Sequence, residues 1–163
     1  MFKKGLRLAI QFTEFPCVEG VIRMRHKKRI MVCVTQQKSC ERLIKRGADL
    51  CRSEHDELYV VHVVKEDWKY FGKLQESDAV EYLFDISKTY GAYLSVIKAP
   101  DIVSTLSRFI QDHKIDEVIM GESLEALAQQ NMINRLSENI EDEINFTIVP
   151  VGEHVNEQEL VFQ

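Results

Sequence analysis

Arg29-Ile-Met-Val-Cys-Val34, followed by the polar Thr35-Gln-Gln-Lys38 and a segment of helical period opening at Ser39, decides the fold. A continuous apolar run of this length is the signature of a strand covered on both faces, as in parallel sheets. Ser39 is an N-cap candidate for a helix running to about residue 54. Outward from this unit the pattern repeats. Leu58 to Val64 is a second apolar run, and residues 77–90 read as a helix with Val80, Leu83, Phe84 and Ser87 on one stripe and Gly91 as its stop. Ala92 to Ile97 is a third strand, ended by Pro100. Asp101 then caps a helix that turns Ile102, Val103, Leu106, Phe109 and Ile110 inward. Asp116 to Met120 is a fourth strand that breaks at Gly121. A helix over 123–140 runs through Leu124, Leu127, Ala128 and Leu136, and Phe146 to Val151 is a fifth strand. Glu159 to Phe162 is a candidate for a short extra edge strand.

Strands alternating with helices across short connections give parallel βαβ units with right-handed crossovers. The fold class expected is α/β: a doubly wound five-stranded parallel sheet of order 3-2-1-4-5, with helices on both faces and an N-terminal extension. Ligands of such sheets sit beyond the carboxyl ends of the strands, where the winding reverses. In this order the reversal lies between the first and fourth strands. The loops Thr35–Ser39 and Gly121–Ser123 then face each other across one crevice, which topology alone makes the default site.

The chain has 163 residues, 45% hydrophobic and 29% charged, with 7 Gly and 3 Pro. This is one domain's worth of ordinary globular composition. Three segments are expected: a basic extension over 1–28, a domain over 29–152, and a tail over 153–163. Residues 1–29 carry eight basic side chains against two acidic ones, and the remainder 13 basic against 24 acidic. An acidic body repels phosphate backbones, which argues against general nucleic-acid binding. The basic arm either folds back on that body, is plainly solvated, or binds phosphate, an anionic membrane or an acidic partner.

No apolar run approaches the roughly 18–20 residues of a membrane span. Arg7 and Gln11 interrupt the only stretch that imitates a signal peptide, so a cytoplasmic location is expected. Cys17, Cys33, Cys40 and Cys51 form no C-x-x-C pair; Cys33, Cys40 and Cys51 read as small buried hydrophobes, and the usage is that of a reduced compartment. His26, His55, His62, His113 and His154 show no ligand spacing, so no metal site is expected. Neither a nucleophile elbow nor a Walker-type phosphate loop is present, and no catalytic residue is assigned.

These pieces together resemble the universal stress protein family. The carriers are Arg29–Val34 with its polar loop, the strand-two "HVV" of Leu58–Val64, Asp116-Glu-Val-Ile-Met-Gly121 and the closing Phe146-Thr-Ile-Val-Pro-Val151. Cys33-Val-Thr35 and Glu41-Arg-Leu-Ile-Lys-Arg-Gly47 are most similar to the stress-protein domain of KdpD-type osmosensitive potassium sensor kinases. The resemblance implies a nucleotide-binding fold and a homodimer formed through the Phe146–Val151 strand. It also implies a regulatory role in stress or ion-homeostasis signalling, by binding a small ligand or a protein partner.

Nucleotide-binding members carry G-x2-G-x9-G-[ST] after the fourth strand. Here Gly121 fits the first position, while Leu124, Asn134 and Arg135 stand at the others. Some KdpD-type domains bind cyclic di-AMP through S-x-S-x20-F-T-A-x-Y. That spacing survives as Thr35, Gln37, Leu58, Tyr59, Val60 and His62, with most side chains changed. The candidate ligand-binding residues are Thr35, Gln37, Ser39, His62, Gly121 and Ser123. The alternative to a regulatory domain without the usual ATP motif is an adenine-nucleotide sensor, binding ATP or cyclic di-AMP in the same crevice. The cofactor expected, if any, is an adenine nucleotide. His62, on a buried strand, reads more readily as a core histidine than as a catalyst.

Overall fold

A computed structural model describes residues 26–34, 40–65 and 73–151. The elements are β1 (Arg29–Cys33), α1 (Cys40–Leu50), β2 (Glu57–Lys65), α2 (Lys73–Thr89) and β3 (Tyr93–Ala99), then α3 (Ile102–His113), β4 (Glu117–Gly121), α4 (Ala126–Glu138) and β5 (Asn145–Val149). The five strands form one sheet in the order β3-β2-β1-β4-β5, and every pairing is parallel. The central strand β1 pairs with β2 from Arg29↔Glu57 to Cys33↔Val61, and with β4 from Ile30↔Glu117 to Val32↔Ile119. The expected doubly wound architecture is therefore the observed one.

The continuous apolar runs are explained by the period-2 pleat. Ile30, Val32, Val34, Leu58, Val60 and Ile119 point to one face, against Cys40, Leu43 and Ile44 of α1 and Leu83 of α2. Met31, Val61, Val118 and Met120 point to the other, against Val103, Leu106, Phe109 and Ile110 of α3 and Leu136 of α4. Each fully buried aliphatic side chain contributes about 1.5–3 kcal/mol. Gly47 allows the tightest approach on the first face. A Cβ there would lie 2.7 Å from both Leu58 Cδ1 and Val32 Cγ2.

Helix ends follow local chemistry. The Asp101 carboxylate accepts the Ser104 N–H at 3.1 Å, capping α3 as its sequence implies. α2 stops at Gly91, whose φ of +65° is left-handed, with Ala92 N–H donating to Ser87 O at 2.8 Å and Gly91 N–H to Lys88 O at 3.1 Å. The same motif closes α3, but with Lys114 in the left-handed position at φ 50°.

Some expectations are corrected. Phe84 is 56% exposed: Ile86 and Tyr90 complete the stripe on the far side of Leu83, which rotates Phe84 off the core. Leu124 and Leu127 are 102% and 77% exposed and Ala128 is also exposed, because α4 begins only at Ala126 and turns Met132, Ile133 and Leu136 inward. α1 ends at Leu50 rather than near 54. There the Asp56 carboxylate takes the N–H groups of Arg52 and Ser53 at 2.8 and 3.1 Å, fixing a loop instead of a further turn. β5 ends at Val149, just before Pro150, which has no N–H to donate to a ladder. The expected edge strand at Glu159–Phe162 and the 153–163 tail lie outside the described residues. So does most of the 1–28 extension.

The last residues of that extension are part of the sheet's amino end. Lys27 Nζ pairs with Glu57 Oε1 at 2.5 Å, Lys28 Nζ with Glu117 Oε2 at 2.6 Å, and Arg29 Nε with Glu57 Oε2 at 3.3 Å. His26 Nε2 lies 3.2 Å from Asp116 Oδ1, and the Arg29 N–H donates to Asp116 Oδ2 at 2.7 Å. Glu117, only 7% exposed, also accepts the Thr147 hydroxyl at 2.8 Å. These basic residues thus meet acidic residues of their own body. Among the described residues no helix is long and apolar enough to cross a membrane.

Candidate functional site

The winding reverses where topology places it, between β1 and β4. At the carboxyl end of β4, Gly121 faces the first turn of α1. A Cβ on Gly121 would lie 3.4 Å from Leu43 Cδ1 and 3.5 Å from Arg42 Nη2. The missing side chain leaves room between strand end and helix, which is what close approach of a ligand to backbone requires.

Beyond Gly121 the chain is held by a glutamine that sequence reading did not single out. Gln129 Nε2 donates to Gly121 O at 2.8 Å, and its Oε1 accepts the Ser123 N–H at 3.2 Å. The Ser123 hydroxyl oxygen accepts the Glu125 N–H at 3.2 Å. Ser123 is exposed and its hydroxyl proton remains available to a ligand. Leu124 and Asn134, at the positions of the family's later phosphate-loop glycines, and Arg135, at its Ser/Thr position, are all exposed. The β4–α4 connection is therefore a side-chain-braced turn, not a glycine cradle.

Arg42 is the other residue the sequence reading passed over. Its Nη1 donates to Val149 O at 3.3 Å and also to Pro150 O, tying α1 to the exit of β5. Glu122 completes the clamp: its N–H donates to Val149 O at 2.9 Å, and its carboxylate accepts the Val151 N–H at 3.1 Å. A cation in the first turn of a helix works against the helix dipole. That mismatch is the one local signal that could have drawn attention to Arg42.

His62 lies on β2 at the carboxyl end of the sheet, 5% exposed. Its Nδ1 is 2.9 Å from Val34 O. A carbonyl only accepts, so Nδ1 carries a proton, and among the described residues the buried Nε2 has no hydrogen-bond partner. The structure therefore sets Gly121 beside Arg42, ties Ser123 to Gly121 through Gln129, and puts His62 at the same end of the sheet, across β1. Thr35, Gln37 and Ser39 lie outside the described residues.

Among the described residues, Cys33, Cys40 and Cys51 are not reactive groups of this site. Burial pushes the Cys33 thiol up to about 12 and raises that of Cys51, with Asp56 adding to the latter. Cys40 is buried in the α1 face of the core. Among the described residues no group of three His, Cys, Asp or Glu side chains is placed to hold a metal ion.

A doubly wound α/β domain whose winding reverses between β1 and β4 is of a class of folds that bind ligands beyond the strand ends at that point. The chain belongs to the universal stress protein family, whose model matches residues 27–140. The similarity to solved structures is one of fold. A universal stress protein in complex with cAMP matches at 14% identity and a TM-score of 0.52, over 75% of this chain and 95% of that one. The Archaeoglobus fulgidus universal stress protein in complex with dAMP matches at 13% and 0.53, over 73% and 96%. A family member from Burkholderia pseudomallei matches at 13% and 0.52, over 76% and 96%. No curated protein sequence matches the chain.

Proposed function

We propose that this chain is a cytoplasmic, non-enzymatic regulatory domain that binds a small ligand in the crevice between β1 and β4. Its role in this reading is in stress or ion-homeostasis signalling. The observation that carries the proposal is Gly121 set against the first turn of α1 at the switch point, where a side chain would close the gap. The ligand class proposed is an adenine nucleotide, supported by the cAMP and dAMP held by two proteins of the same fold. His62, buried at the same end of the sheet, adds an imidazole Nε2 that has no hydrogen-bond partner among the described residues. Thr35, Gln37, Ser39 and Ser123 are proposed to contribute hydrogen bonds, not bond-breaking chemistry.

The domain is further proposed to act as a homodimer through β5. This strand is an edge of the sheet and leaves Ile148 37% and Val151, just beyond it, 53% exposed. A protein partner on the same edge is the second reading.

The test is native mass spectrometry of the freshly purified chain, followed by titration with AMP, ATP, cAMP and cyclic di-AMP. A dimer that takes up one of these saturably, with Gly121→Leu abolishing uptake while the fold persists, supports the reading. A chain that binds none of them, or a variant that binds as well as the parent, overturns it.

A further inference from the structure

We infer that Arg42 is the anion-recognition residue of the crevice, taking a phosphoryl group of the ligand in place of the glycine cradle this chain lacks. The inference rests on the reading of the crevice as a ligand site and adds the group that reads the ligand's charge. A guanidinium has five N–H donors in a planar fork suited to phosphate. Those of Nη1 are spent on the carbonyls of Val149 and Pro150. Among the described residues the donors on Nη2 and Nε have no acceptor, and no carboxylate forms an ion pair with Arg42.

The side chain is half-buried, and its Nη2 is the atom 3.5 Å from the Cβ position of Gly121. The carbonyls of Val149 and Pro150 thus hold the fork in place, with donors that have no acceptor among the described residues turned to the gap. A charge so oriented before binding recognises an oxyanion without the cost of ordering a free arginine. Negative groups are near in sequence. Glu122 is turned to the Val151 N–H, while Glu41 and Glu125 are exposed.

The same guanidinium spans α1 and the exit of β5, so an anion on its Nη2–Nε edge draws on the charge that also fastens the Val149 and Pro150 carbonyls. Binding at the crevice is thereby coupled to the strand edge on which partners would pair.

The experiment titrates tripolyphosphate, then adenosine, into the intact chain and into Arg42→Gln and Arg42→Lys. Arginine Nε–H and backbone amide resonances report binding and fold. Tripolyphosphate is expected to move the Arg42 Nε–H resonance saturably and to shift the Val149–Val151 amides. Its affinity should fall at least tenfold in Arg42→Gln and less in Arg42→Lys, with adenosine affinity equal in all three. An unmoved Nε–H resonance, or equal tripolyphosphate affinity in Arg42→Gln, overturns the inference, even where adenosine still binds and the crevice reading survives. Tripolyphosphate binding that depends on Arg42 without adenosine binding upholds it and removes adenine as the ligand's base.

Discussion

Arg42 and Gly121, on α1 and at the end of β4, are neighbours at a spacing that would leave a Cβ on the glycine in ordinary van der Waals contact with the guanidinium, at 3.5 Å. The contact joins the two elements that flank the winding reversal. It places a positive charge beside backbone that a ligand can reach.

Gly47→Ala is expected to destabilise the fold by about 1–3 kcal/mol, the usual cost of overpacking a close-packed core. The added methyl would meet Leu58 Cδ1 and Val32 Cγ2 at 2.7 Å, and both belong to central strands that have little room to give. Urea unfolding of the two chains measures it. A midpoint equal to that of the parent would show that α1 can lift off the sheet at no cost.

Lys28→Ala should cost about 1–3 kcal/mol, because it leaves the Glu117 carboxylate buried with only the Thr147 hydroxyl as partner. Adding Glu117→Gln should recover part of that loss, since the remaining amide oxygen still accepts from Thr147. A double-mutant cycle in denaturant reads this directly, and strict additivity would dissolve the pair.

Lys114→Gly should stabilise the chain. Lys114 holds a left-handed φ of 50° at the end of α3, a conformation costing a side-chain-bearing residue about 1 kcal/mol relative to glycine. The greater freedom of glycine in the unfolded chain offsets part of this, so a rise of a few tenths to about 1 kcal/mol is expected. Thermal unfolding is the check, and a lowered midpoint would contradict it.

Asp56 makes stability fall in acid. Its carboxyl is lowered to about 2 from 3.8, first by the Lys28 N–H and then by those of Arg52 and Ser53. Because the folded value is the lower one, the stabilisation is fully present above about pH 4 and is lost as pH falls through about 2. Asp56→Asn should therefore cost more stability at pH 7 than at pH 2. An equal cost at both would remove the carboxylate from the account.

The central strands were legible because burial on both faces leaves no polar residue between Ile30 and Val34 and only Tyr59 and His62 with polar tips in the run Leu58–Val64. The strand order followed from the alternation. What misled was helix phase. Phe84, Leu124 and Leu127 lie in apolar company at helical spacing, and only tertiary packing determines which residues of such a set face inward. The crevice was legible as a place, through Gly121, but not as a set of side chains. Gln129 acts on a carbonyl eight residues earlier and Arg42 on carbonyls more than a hundred residues later. Such partners leave no local pattern, and Arg42 announces itself only as a cation at the wrong end of a helix.

The measurement that bears most directly on the crevice is a map of backbone amide shifts on titrating AMP into the uniformly labelled chain. The expected result is saturable shifts centred on Gly121, Glu122 and Ser123 and extending to Val149 and Val151. The absence of shifts at saturating AMP, or shifts centred on the Lys28–Glu117 end of the sheet, would contradict the account.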